Sequence, residues 1–307
     1  MPPNLPSPAA PGAVSNGAHA HNLLDRQCRR IVDLQAAVLE DQDPEPLHQM
    51  RVAMRRLRSA IGQFAPCLVL PRAVSERRLA RSVRQLGRAR DLDVLQQRLE
   101  QDLLPRLDAR EQQRLVPVRR QLARERRRAH GHLAEVLLSR RHRKLVTSLQ
   151  GWLRAPAFTP LGEQPLRHWW AEWHLPGSSA LMLHPGWWLD NPHQDVKTLH
   201  DLRKRIKTVR YQLENLADAA PPQCRDWIVE LKEAQGLLGD LNDLAVLEHA
   251  IDDQLGRAPK RHIPALASLL QAQRLHGWDR WRVRAAELIR MEARRRRQQL
   301  EPAAPTS

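Results

Sequence analysis

His48, Arg51, Arg55 and Arg58 recur at steps of three, four and three residues. On a helix that spacing confines them to a stripe about 80° wide. A fixed row of guanidinium groups headed by an imidazole suits phosphate oxygens, because arginine is planar, always charged and donates hydrogen bonds in a fork. A second row stands 152 residues further on, where His200, Arg203, Lys207 and Arg210 align with the first four, and Lys204 adds a cation beside Arg203. Asp91, Asp93 and Asp243 follow a repeated Leu-Gly pair. Carboxylates so placed either orient neighbouring arginines and cap turns, or serve acid–base or metal chemistry. His48 and His200 head their rows and read as phosphate contacts. The plainer alternative is a structural hydrogen bond, and ligand spacing for a metal is lacking apart from Asp201.

The rows need helices to hold them. Leu47, Met50, Met54, Leu57, Ile61 and Phe64 form an apolar stripe within an arc of about 100°, beside the cationic one rather than opposite it. A cationic edge next to a core face points into a groove between helices. Leu199, Leu202, Ile206, Val209, Leu213 and Leu216 keep the same register in the second stretch. LGRARDLDVL (86–95) and LGDLNDLAVL (238–247) agree at six of ten positions at the same offset of 152. Two motifs repeating at one offset predict an internal duplication of bundle-sized units.

A third basic stripe, Arg77, Arg81, Arg84 and Arg88, faces one side of a helix expected over Arg72–Asp102. It reads either as a solvated face or as the far wall of the groove. Its counterparts at the repeat offset are Val229, Glu233, Gly236 and Asp240, so the two halves differ electrostatically.

The chain has 307 residues, with 50 basic and 34 acidic ones and a net charge of +16; six of the basic residues are lysine. Such a charge calls for an anionic partner: a phosphate polymer, nucleic acid or an acidic membrane surface. Cys28, Cys67 and Cys224 form no CxxC pair and read as reduced thiols of a cytoplasmic protein. No apolar run approaches a membrane span, and no secretory signal is visible.

Residues 1–20 and 301–307 read as disordered tails, 21–153 as a first helical bundle and 195–300 as a second. Between them, 154–194 reads as a connection rich in proline and tryptophan, with one short helix near Leu166–Trp173. Its indoles, Trp169, Trp170, Trp173, Trp187 and Trp188, either pack on the bundle ends or stack on bases.

HQMRVAMRRLRS with LGRARDLDVL, and HDLRKRIKTVRYQLE with LGDLNDLAVL, resemble the paired motifs of the CHAD family, the histidine-containing α-helical domain. The resemblance covers about 21–300 except the 154–195 connection. It implies an all-α fold of two four-helix bundles related by a pseudo-twofold axis and forming one domain. It also implies a basic central groove that binds inorganic polyphosphate, with location at polyphosphate granules. The residues expected to line that groove are the two rows and Lys204, with Arg77, Arg81, Arg84 and Arg88 as additional candidates.

Many relatives carry a triphosphatase domain with an ExExK motif. None occurs here, nor does GxxxxGK[ST], HExxH or GxSxG, so no enzymatic activity, cofactor or metal is expected. The alternatives are general polyanion or nucleic-acid binding, and a phosphate-transfer enzyme using histidine. The oligomeric state is not legible.

Overall fold

Several helices begin where a side chain caps them, and the first ends at a left-handed residue. The computed structural model describes residues 14–191, 195–255 and 263–298, and among these no element is a strand. Helix α1 (Asn16–Glu40) starts on Ser15, whose hydroxyl accepts from Ala18 N–H, and stops at Asp41 with φ of 57°. Aspartate tolerates that conformation better than most residues. Helix α2 (Pro44–Gln63) is capped by Asp43, with proline in its first turn, where no N–H is needed. Helix α3 (Glu76–Gln97) starts on Ser75 and passes into a π-helical segment at Arg98–Leu103. The helical run thus ends within one residue of the expected 102 and starts four residues after the expected 72.

Next come α4 (Ala109–Arg114), α5 (Val116–Leu138) and α6 (Arg140–Arg154). Pro117 opens α5, and Ser139 caps α6 by accepting from His142 N–H. After α7 (Trp170–Met182) follow α8 (Val196–Glu214), α9 (Pro222–Leu255), α10 (Pro264–Ile289) and α11 (Met291–Gln298).

Helix α1 packs on α2, α2 on α3, and α3 on α5, with α6 covering α1 and α5. In the other half α7 packs on α8, α8 on α9, and α9 on α10. The halves meet where α2 touches α8 and α5 touches α9. One continuous hydrophobic cluster runs through both. All six residues of the α2 apolar stripe are buried. Burying a large apolar side chain contributes about 1.5–3 kcal/mol, so this stripe fixes how α2 is rotated and thereby where its cationic edge points. Polar ties fix the junction too: Asn215 Nδ2 donates to Gln63 Oε1 (2.9 Å), and Gln63 Nε2 to the Gln212 carbonyl (3.2 Å).

One expected boundary shifts. Asn16–Ala20 are helical rather than tail, because Asn16 and Gly17 N–H donate to the Gln164 and Gly162 carbonyls (2.9 and 2.7 Å) and His19 and Ala20 are buried. The remaining tail residues 1–13 and 301–307 lie outside the described residues.

The connection after α6 is built into the core. Val69 N–H donates to Ala157 O (3.0 Å) and Thr159 N–H to Cys67 O (3.1 Å). A 3₁₀ turn at Leu166–Trp169 leads into α7, which extends well past the short helix expected at 166–173 and lies on α8 as α1 lies on α2. Trp170 and Trp187 are buried, Trp187 stacks on Trp281 at 5.6 Å, and Trp173 packs on Phe64 at 5.0 Å. These indoles hold the two halves and the ends of the helices together; of the five, Trp188 is the exposed one.

Candidate functional site

The contact of α2 with α8 brings the middles of the two cationic rows together. Arg51 donates from Nη2 to Asp91 Oδ1 at 2.9 Å, while its Nε is buried without a partner. Burial, then Arg55, lowers the Arg51 pKa to about 10. Arg203 likewise has a buried Nε without a partner. Each arginine lies beside a glycine of the next helix: a Cβ at Gly87 would meet Arg51 Nε at 3.9 Å, and one at Gly239 would meet Arg203 Nη2 at 3.6 Å.

Lys207 shows the crowding most clearly. Burial first, then the charges of Arg55, Arg203 and Arg51, push its ammonium down to about 7, with Asp91 opposing. Cations from both helices therefore share one low-dielectric volume, where like charges raise each other's cost. The carboxylate on the other side of the cluster, Asp243, is pushed up by burial and faces Arg203 and Arg98.

The histidines at the row heads have different neighbours. His200 Nδ1 donates to Asn242 Oδ1 at 3.1 Å. His48 is half-buried with Nδ1 unpartnered, and burial followed by the charge of Arg90 lowers its pKa. Positions 90 and 242 are related by the same offset of 152, so arginine stands where the other half has an amide.

The row ends are engaged differently again. Arg58 donates from Nε and Nη2 to Glu76 Oε1 at 3.1 and 2.8 Å. Arg210 is buried, pairs with Glu214, donates to Gln235 Oε1 at 3.1 Å and lies 4.3 Å over the Tyr211 ring. Arg56 reaches the same Glu214 at 3.2 Å. Arg210 is thus committed to a structural tie between α8 and α9, with Glu214 also joining Arg56 of α2. Lys204 is exposed and pairs with Asp201 at 3.1 Å, away from the cluster.

Beside the cluster opens a cleft of ≈ 1040 Å³. Arg55, Arg58 and Lys207 face it from one side, Arg84 and Arg88 from the other. The α3 stripe therefore divides: Arg84 and Arg88 share the cleft with the α2 row, whereas Arg77 and Arg81 are exposed outside its lining. Arg51, Arg203 and both row-head histidines stand outside the lining as well.

The sequence reading missed several participants. Arg90 sits inside the LGRARDLDVL motif and carries a signal in its place just before Asp91. Arg98 donates to the Asp240 carbonyl at 3.2 Å across the two halves and belongs to no stripe. The aspartates act on arginines: Asp91 holds Arg51, and Asp93 accepts from Arg126 Nε at 2.7 Å while Asp41 takes the other end of that guanidinium. Among the described residues no cluster of histidine, cysteine and carboxylate side chains could hold a metal, and no helix is long and apolar enough to cross a membrane.

Comparison with known proteins adds the following. The family model of the CHAD domain matches residues 22–252. The crystal structure of the CHAD domain from the plant Ricinus communis superposes with a TM-score of 0.66 at 26% identity, covering 98% of this chain and 99% of that one. PptA from Streptomyces chartreusis superposes with a TM-score of 0.64 at 19% identity, covering 89% of this chain and 98% of that one. Comparison with curated proteins gave no match.

Proposed function

The chain belongs to the CHAD domain family, and we propose that it binds inorganic polyphosphate without turning it over, through the cations that α2 and α8 bring together. The observation that carries this reading is the cluster of Arg51, Arg55, Arg203 and Lys207, crowded enough that Lys207 falls to about 7. Cations held together against their own repulsion await an anion, and any anion that binds only the folded chain stabilises it.

Polyphosphate offers neither base nor sugar, so its binder needs repeated donors at phosphate spacing. Side chains one helical turn apart stand roughly 5–6 Å apart, so neighbours can take successive phosphoryl groups. Each charge-assisted hydrogen bond contributes about 1.5–3 kcal/mol net. His48 and His200 would extend the line at its ends, and Arg84 and Arg88 would widen it on one side. The proposal extends to a cytoplasmic place at polyphosphate granules. General polyanion binding differs in its selectivity. Burial of Trp170 and Trp187 removes two of the indoles that a nucleic-acid reader would use for stacking.

Competition on the full chain separates these readings. Long-chain polyphosphate should displace labelled polyphosphate at concentrations at least about tenfold below those of single- or double-stranded nucleic acid, with affinity falling steeply as salt rises. Equal competition by nucleic acid at physiological salt would replace the proposal with generic polyanion binding.

A further inference from the structure

Asp91 and Asp93 stand two residues apart in LGRARDLDVL and hold their arginines differently. Asp93 accepts from Arg126 Nε at 2.7 Å, with side chains only 9% and 12% exposed. Such a pair is permanent, because parting it would strand two charges away from water. Asp91 accepts from Arg51 Nη2 at 2.9 Å, but its side chain is 65% exposed against 16% for the arginine. A carboxylate that keeps most of its hydration leaves its partner at little cost. It takes up one donor of a guanidinium that has five. Arg51 Nε stays buried without a partner.

The other half treats the matching residues otherwise. Asp243 follows Asp91 by 152 residues, as Arg203 follows Arg51. Asp243 accepts from Asn242 Nδ2 at 3.3 Å, and among the described residues it forms no ion pair with Arg203. An aspartate at this position therefore does not have to grip its arginine. Asp91 also opposes the cationic charges around Lys207, and it lines the cleft with Arg55 and Lys207. An anion of the chain's own already stands among the cations that would take phosphate.

We propose that Asp91 is an internal competitor that a phosphate ligand must displace from Arg51. A ligand with one phosphate trades one anion for another there and then faces the freed carboxylate. A longer ligand makes that exchange once and adds contacts with Arg55, Arg203 and Lys207, so the exchange sets a threshold that favours linked phosphates. The inference rests on the reading of these cations as phosphate holders and adds the residue that weakens their hold.

The test is calorimetry on the full chain with tripolyphosphate and long-chain polyphosphate at matched ionic strength, comparing Asp91→Asn with Asp253→Asn. Asparagine keeps an oxygen acceptor for Arg51 and removes the charge. Asp253 lines the same cleft but lies 3.6 Å from His249. Asp91→Asn should bind each ligand at least about fivefold tighter, the factor that one like charge about 4 Å away exerts even at the dielectric constant of water. Asp253→Asn should change either affinity by no more than about twofold. Equal or weaker binding of either ligand by Asp91→Asn would assign the carboxylate to holding Arg51 in place and overturn the inference, leaving polyphosphate binding intact. Equal gains from the two variants would overturn it as well, since net charge alone would then account for them. Absence of binding by the unchanged chain and by both variants overturns the inference and the proposed function together.

Discussion

At the scale of the residue, Lys207 concentrates the argument. Its pKa is lowered to about 7 in the folded chain, from the ordinary lysine value of 10.5, because it is half-buried beside Arg55, Arg203 and Arg51. Between those two values the unfolded chain binds more protons, so this group makes stability rise with pH. Its penalty is full below about 7 and relieved by about 10.5. A bound polyanion reverses the shift, so binding above pH 7 takes up a proton. Affinity for long-chain polyphosphate, whose internal phosphates stay ionised, should fall on the order of tenfold from pH 6.5 to 8.5, and Lys207→Met should flatten that fall. A wild-type affinity that is level across this range would show that Lys207 stands outside the binding surface. The sequence exposed Lys207 through its spacing alone. It could not distinguish Lys207 from Arg210, since periodicity gives a face and not the partners on it. Glu214, one turn past Arg210, takes up that guanidinium, whereas at Lys207 Asp91 opposes the charges of three arginines.

At the scale of the element, α2 and α8 were readable because each carries an apolar and a cationic stripe with caps and breakers at its ends. The segment between α6 and α8 was not, because its prolines and tryptophans show no period. Its order comes from long-range contacts: backbone hydrogen bonds to residues 16, 17, 67 and 69, and indoles seated on distant helices. Gly162 is the tightest point, where an added Cβ would run into the Cys67 carbonyl oxygen and lie 2.8 Å from Phe158 Cβ. Backbone cannot move aside as a flexible side chain can, and overpacking of this kind costs about 1–3 kcal/mol. Gly162→Ala should lower unfolding free energy by that amount in a urea titration without changing polyphosphate affinity. Unchanged stability would mean that the segment is not docked against Cys67 as described. The cleft was equally hidden, because it exists only where α2, α3, α5, α8 and α9 converge.

At the scale of the whole molecule, a net charge of +16 announces an anionic partner without saying which of the 50 basic residues meet it. The fold selects among those charges. Arg127 and Arg128 remain exposed on α5, while Arg51 and Arg203 are brought to the junction of the two halves, each beside a glycine. The most direct measurement is polyphosphate affinity in two double variants of equal charge loss. Loss of two charge-assisted contacts of about 1.5–3 kcal/mol each predicts that Arg51→Ala/Arg203→Ala weakens binding by about 100-fold or more. Arg127→Ala/Arg128→Ala should weaken it by no more than about threefold, the effect of diffuse surface charge. Similar losses from the two pairs would contradict the account, because charge anywhere on the chain would then serve as well as charge gathered between α2 and α8.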